Sequence, residues 1–438
     1  MALRRSTWLQ VLIVSLAAFA ATFAILRSTG ARVGGGAPSY VAEGSVALPT
    51  ANTDQRIAIL QQALRDRPGN IDTSVLLAAA YLQKVRETGD ASLYGKAGGL
   101  ISAALRAKPS DVGAITERGA LELSRHDFRA ALGDALTARR LAPDVVKPYG
   151  VLVDALVELG RYRAAGRALA AYVGLQPNLS SYTRVSYFRE LHGDLPGSVA
   201  ALQHAAAAGG ETAENVAYVQ SLLGHVYFTE GDLGRAAYAY REALARFPGY
   251  VPADAGLARV QASRGDLAGA VHRLRRDVAR LPLPEYVVAL GETELAMGRT
   301  AAAHRDLSLV GAEERLLAAN GVNTDVDLAL FEAQHGSPAR GVVLARRAWA
   351  QAPSVRSADA LGWALTRAGR PAAGLAWARR ALRLGSADPM FEFHAGMAAR
   401  AVGRPALARR WLTEALSRNP RFSPLFAPQA RRALEALR

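Results

Sequence analysis

The chain has 438 residues, with 53 lysines and arginines against 38 aspartates and glutamates, a net charge of +15 and no cysteine. Half of the residues are hydrophobic and 21% are charged, which is globular usage and excludes a disordered chain. The missing cysteine excludes a disulfide framework, a CxxC redox motif, a thiolate zinc site, a cysteine nucleophile and a lipid-modified N-terminal cysteine.

In chain order, the first predicted element is a targeting segment over residues 1–27. Arg4 and Arg5 precede an uncharged run from Trp8 to Leu26, and Arg27 closes it. The run is close to the ~20 residues that cross a bilayer and longer than the usual core of a cleaved signal. A membrane anchor is the expectation, with a cleaved export signal as the alternative, since small residues surround Ala20 and Ala31. The arginine placement leaves the N-terminus in the cytoplasm, so the bulk of the chain is expected outside it, membrane-anchored or secreted. Residues 28–52, with Gly34-Gly35-Gly36, Pro38 and Gly44, read as a flexible linker. Residues 53–70 read as an extra helix ahead of a repeating region over 71–422.

Prolines measure the repeat. Pro109, Pro143 and Pro177 lie 34 residues apart, as do Pro248 and Pro282, and Pro353 and Pro420 keep the phase. A second ladder, Gly160, Gly193, Gly231, Gly265, Gly298, Gly336, Gly369 and Gly403, runs in steps of 33 to 38. Each glycine follows an amphipathic stretch of helical length, where a left-handed residue ends a helix at little steric cost. Five residues later comes a small residue (Ala165, Ser198, Ala236, Ala270, Ala303, Gly341, Gly374, Ala408) that lets a second helix approach the first. Pro338, Pro371 and Pro405 suit the opening turn of that second helix.

Leu223, Gly224, Tyr227, Ala236, Tyr240, Ala243 and Pro248 make the best single unit, which resembles the tetratricopeptide repeat family. Gly119, Ala131, Ala138 and Pro143 carry the pattern earlier, and Gly396, Ala408, Leu412, Ala415 and Pro420 carry it last. The resemblance implies an all-α, right-handed superhelical solenoid of about ten helix-turn-helix repeats, closed by terminal capping helices, the last over 423–438. Units near 179–213 and 284–321 lack the closing proline and carry insertions, and a further insertion falls around Glu87 to Gly99.

The sequence shows no HExxH, no histidine pair at i, i+4, no Walker loop, no dinucleotide fingerprint and no GxSxG elbow. His192 and His335 precede turn glycines, where a histidine meets the negative end of a helix. A scaffold without catalytic residues, cofactor or metal is therefore expected. The alternatives are an all-α toroidal enzyme acting on an envelope substrate, or an assembly factor that binds a membrane surface. Export argues against a nucleic-acid ligand.

The resemblance places a protein or peptide ligand on the concave face lined by the first helix of each unit. Tyr187, Tyr218, His225, Phe228, Arg259, Trp363, Phe393 and Arg400 are expected to face outward there. Apolar residues on such a face suit a partner segment, with arginines selecting its acidic ends. On the second helices, Arg275-Arg276, Arg346-Arg347 and Arg379-Arg380 fall ten and eleven residues after their turn glycines. They are expected to share one basic side, facing either solvent or an anionic membrane.

Overall fold

The computed structural model describes residues 52–210 and 212–437. The expected anchor or signal over 1–27, and the linker up to residue 51, lie outside the described residues. Among the described residues there is no strand, and no helix is long and apolar enough to cross a membrane.

Ten successive helix pairs run from Ile71–Thr88 with Leu93–Ala107 to Pro389–Ala401 with Pro405–Arg418. Thr53–Asp66 precedes them and Phe426–Glu435 follows. The proline ladder acts as a set of stops: helices end at Ala107, Leu141, Leu175, Arg246, Arg280, Gln351 and Arg418, each two residues before its proline. The residue between is extended every time, with φ from −154° to −135°. Steric conflict with the proline ring drives that residue out of the helical region.

Seven of the eight ladder glycines take positive φ. Gly336 does not (φ −122°), because the Glu332 carboxylate reaches past it to the Ser337 N–H at 2.8 Å and closes the turn itself. In the 112–141 unit the same place is held by His126 at φ 62°, a conformation that a residue with a Cβ adopts only at some cost. The small residues five positions later are buried without exception, which lets the paired helices touch. A Cβ on Gly224 would lie 2.6 Å from the Tyr240 ring, so this pair closes only around glycine. Asp127, Asp194, Asp232 and Asp266 then cap the second helices, each accepting an N–H three residues on. Such a cap contributes about 1 kcal/mol. In three later units Pro338, Pro371 and Pro405 open the helix instead.

The unit that begins at Pro284 departs from the pattern. Its second helix, Thr300–Leu307, stops after eight residues, and an additional helix, Val310–Ala319, follows. No proline sets its end, and the Ser308 hydroxyl donates to the Arg305 carbonyl at 2.6 Å, competing with the helical ladder.

The array coils back on itself. Turns of early units meet loops 158 to 222 residues further along, and the contacts recur from unit to unit. His126 Nδ1 lies 2.6 Å from the Asn323 carbonyl, Arg129 donates to the carbonyls of Ala350 and Gln351, and the Val355 N–H donates to the Tyr162 hydroxyl at 2.8 Å. Further on, Asn419 Nδ2 donates to the Phe228 carbonyl at 2.6 Å, and the Ser263 hydroxyl donates to the Arg421 carbonyl at 2.9 Å. Side chains at Gly160 and Gly193 would collide with the carbonyls of Pro353 and Gly385. These two glycines therefore serve the turn and also the close approach of the next coil.

Candidate functional site

Coiling encloses a lumen. One cavity, about 620 Å³, is walled chiefly by first helices, from Val85 in the first unit to His394 in the last, with Phe426 beyond. The walls are rich in aromatic residues, including Tyr218, Tyr250, Tyr286, Phe331 and Trp363. Tyr218 is 45% exposed, yet burial raises its phenol above the usual value. Both hold if the ring faces water enclosed by protein instead of bulk solvent.

Five carboxylates line this cavity, those of Glu214, Glu285, Glu292, Glu314 and Asp327, against one arginine, Arg86. Two are engaged in the fold. Buried Glu214 accepts from Gln83 Nε2 at 2.7 Å, Asn215 Nδ2 at 3.0 Å and the Tyr250 hydroxyl at 3.2 Å, tying the first unit to the fifth. Glu292 meets His335 Nε2 at 3.0 Å. The other three group around Asp327, whose charge acts on both Glu314 and Glu285. Burial and the charges of Asp327 and Asp325 push the Glu314 carboxyl up to about 7, and burial with Asp327 raises Glu285 as well. The Thr324 hydroxyl donates to Glu314 Oε2, but Oε1 has no hydrogen-bond partner, and neither has Gln334 Oε1 in the same wall. Asp327 is held loosely by Arg356, 3.6 Å away.

A second cavity, about 390 Å³, shares Met390 with the first. It gathers four residues expected from sequence, Tyr187, His225, Phe228 and Arg259. The Tyr187 hydroxyl donates to Glu158 at 3.3 Å, His225 Nε2 lies 3.2 Å from Glu190, and the Arg259 guanidinium covers the Phe228 ring at 4.3 Å. Between the two cavities His394 Nδ1 sits 2.9 Å from Asp359 with its ring stacked 4.3 Å from Trp363. Among the described residues no group of three or more histidines or carboxylates is placed to hold a metal ion.

The expected outward placement needs correction at three positions. Phe228, Trp363 and Phe393 are buried, and Phe393 has no exposed surface at all, packing among Trp363, Phe422 and Phe426. A first helix touches its own second helix and both neighbouring units, so only a narrow stripe is left for the lumen and large apolar residues beside it fill the seams between units. Trp363 and Phe228 still show an edge to the two cavities; Arg400 is exposed and lines neither. At the larger cavity carboxylates outnumber arginines, five to one.

All six stripe arginines are exposed, but most are engaged. Arg275 pairs with Glu294, Arg276 with Asp254 and Arg347 with Asp325, while Arg380 lies over the rings of Trp349 and Trp377. His192 keeps its expected place, its Nδ1 2.7 Å from the Phe188 carbonyl at a helix end; His335 turns to Glu292 instead.

Sequence reasoning missed Glu285, Glu314 and Asp327. A signal existed for the histidine pairs, because Glu190 and Asp359 each precede their histidine by 35 residues, one repeat. Glu314 had none, since it lies on the inserted helix where the register fails.

A family model described as tetratricopeptide repeat matches residues 227–290. The match spans the second helix of one pair, the whole of the next and the start of a third. Comparison with curated proteins gives no match. Among solved structures, the tetratricopeptide-like array is similar to a human IFIT1 dimer with m7Gppp-AAAA, at 13% identity over 84% of this chain and 86% of that one, with a TM-score of 0.48. It is similar to the APC/C hetero-tetramer Cut9–Hcn1 at 15% identity, over 88% of this chain and 93% of that one, with a TM-score of 0.38. A thermophilic TPR protein of Thermus thermophilus, TTC0263, is 23% identical over 37% of this chain and 87% of its own length, with a TM-score of 0.34.

Proposed function

We propose that the chain is a non-catalytic scaffold that captures a segment of a partner protein inside its lumen, and that its N-terminal segment holds the array outside the cytoplasm. The observation that carries the capture is the larger cavity, with aromatic walls and hydrogen-bond acceptors that the fold leaves unused. A mostly apolar cleft with a few unsatisfied polar groups is what a ligand site needs. Two of the three histidine–carboxylate pairs, Glu190–His225 and Asp359–His394, lie one repeat apart and join adjacent first helices, which supports a bracing role over a catalytic one. Carboxylates along the walls oppose a nucleic-acid backbone. The location rests on Arg4, Arg5 and the run from Trp8 to Leu26.

The test places a photo-crosslinking residue at Tyr218 in the lumen or at Tyr238, 61% exposed on a second helix. In the native membrane fraction the first should yield a discrete protein adduct and the second should not. Equal labelling, or none from the lumen, overturns the reading. N-terminal sequencing and alkaline carbonate extraction decide the tether: a mature chain starting after Ala20 or Ala31 removes it.

A further inference from the structure

We infer that the corner formed by Glu285, Glu314 and Asp327 is a pocket for an organic cation that donates N–H hydrogen bonds, an alkylammonium or guanidinium borne by the captured segment. The inference deepens the lumen-capture reading and rests on it.

Glu314 is 6% exposed, opens on the larger cavity, and leaves Oε1 without a partner. Buried acceptors are rarely left so, because a lone pair stripped of water and given no donor is costly. Glu294, Glu392 and Asp277 also leave one oxygen unpaired, but arginines hold the first two, Arg275 at 2.5 Å and Arg418 at 2.7 Å, and Asp277 lies against Asp254 and does not line this cavity. Among the described residues no cation pairs with Glu314. On its far side it borders a second opening, where Arg340 is held by Glu332 and Arg347 by Asp325.

Gln334 Oε1 repeats the pattern from the neighbouring helix, Asp325–His335. Both waiting atoms accept, so a ligand must donate. The charges agree: Arg356 lies 3.6 Å from Asp327 and acts on Glu285, whereas the charges acting on Glu314 are those of Asp327 and Asp325, both negative. The remaining walls, Tyr286, Phe331 and Trp363, present aromatic surface that suits both the alkyl stem and the charge of such a side chain. An inorganic cation would want three or more ligands in one cluster, and none is placed so among the described residues. Because the Glu314 carboxyl lies near 7 in the empty lumen, a bound cation also displaces its proton.

The experiment is calorimetric titration of the full chain near pH 7 in buffers of different ionisation enthalpy. Three probes are compared: a capped pentapeptide with a central lysine between leucines, the same peptide with norleucine at the centre, and n-butylammonium. Saturable binding of the lysine peptide with proton release, at least tenfold tighter than the norleucine peptide, is expected. Glu314→Gln, Glu285→Gln and Asp327→Asn should each weaken it at least fivefold. Glu285 is exposed, so its variant keeps the test alive if Glu314→Gln fails to fold.

Equal affinity of the two peptides, no saturation at millimolar lysine peptide, or variants that bind like the parent would overturn the inference and leave Glu314 Oε1 to a buried water. Butylammonium binding as tightly as the lysine peptide would overturn the assignment to a partner side chain. The crosslink at Tyr218 separates the two levels: an adduct that persists unchanged in all three variants removes the cation pocket and keeps the capture, whereas its loss in the parent removes the capture itself.

Discussion

On the outer face, Arg275 reaches Glu294 at 2.5 Å, Arg276 lies 3.6 Å from Asp254, and Arg347 holds Asp325. Inside, Glu314 and Gln334 each leave an acceptor unpaired, and Arg356 acts on Asp327 and Glu285 but not on Glu314. A chain with a net charge of +15 thus encloses an acid-lined cavity. Several arginines serve as counter-ions to carboxylates buried between helices, and the sum over the chain says nothing about the sign of the site. What differs between the two faces is how their buried carboxylates are met: outside, those of Glu294, Asp254 and Asp325 each meet an arginine, whereas in the lumen that of Glu314 meets no cation among the described residues.

The largest effect should come from a side chain that the sequence assigned to the lumen and the structure assigns to neither face. Phe393→Ala should destabilise by about 3–5 kcal/mol, whereas Tyr218→Ala should cost under ~1 kcal/mol. Urea unfolding of both variants measures the gap, and similar losses would erase the distinction between wall and core.

Next is the outer pairing. Arg275→Ala strands Glu294, which has no exposed surface, and should cost about 1–3 kcal/mol, softened because Glu294 can take up a proton. The double variant Arg275→Ala, Glu294→Gln should recover most of the loss. Failure to recover would mean that the arginine acts through packing alone.

The pH profile sharpens the contrast further. Burial pushes Asp277 up to about 8, with Asp254 adding to it, and Glu314 and Glu392 up to about 7. Each folded value lies above the unfolded one, so the stability these groups contribute is full below about pH 4 and is lost as pH rises through 7 to 8. The melting temperature should fall across that window. Glu314→Gln should flatten the part up to about 7 and raise stability above it by up to ~1 kcal/mol, as removal of an unmatched charge would. A steeper fall in the variant would count against an unmatched lumen.

The smallest effect belongs to Arg346 and Arg379, exposed and without an ion pair among the described residues. Replacing both by alanine should move stability by less than ~0.5 kcal/mol. Denaturant midpoints would show it, and a larger loss would mean that the outer face is less completely matched than described.

The helix boundaries were legible because their causes are local. A proline sets the end of a helix two residues earlier, and a glycine or a histidine at one place in the unit turns the chain, so position in the sequence translates directly into structure. The lumen stripe was only half legible. Tyr187, Tyr218, His225 and Arg259 reach the cavities, but Phe228 and Trp363 are buried and show only an edge there, and Phe393 falls between units. One residue on a helix is about 100° of rotation, comparable to the width of the stripe itself. The coil's return was not legible at all, because it depends on small rotations summed over more than five units. The three acidic corner residues depend on that return and on an inserted helix that breaks the period.

The paired turns and loops also change how the molecule should come apart. An open stack of repeats behaves as a chain of nearest neighbours and can fray from either end, unit by unit. Here His126, Tyr162 and Phe228 bind partners about 190 residues downstream, so an inner unit cannot loosen until those bonds break. Contacts of that sequence separation slow folding, since long loops must close before they are rewarded. They should also merge what would be gradual fraying into one concerted opening, giving this array the kinetics of a single closed body.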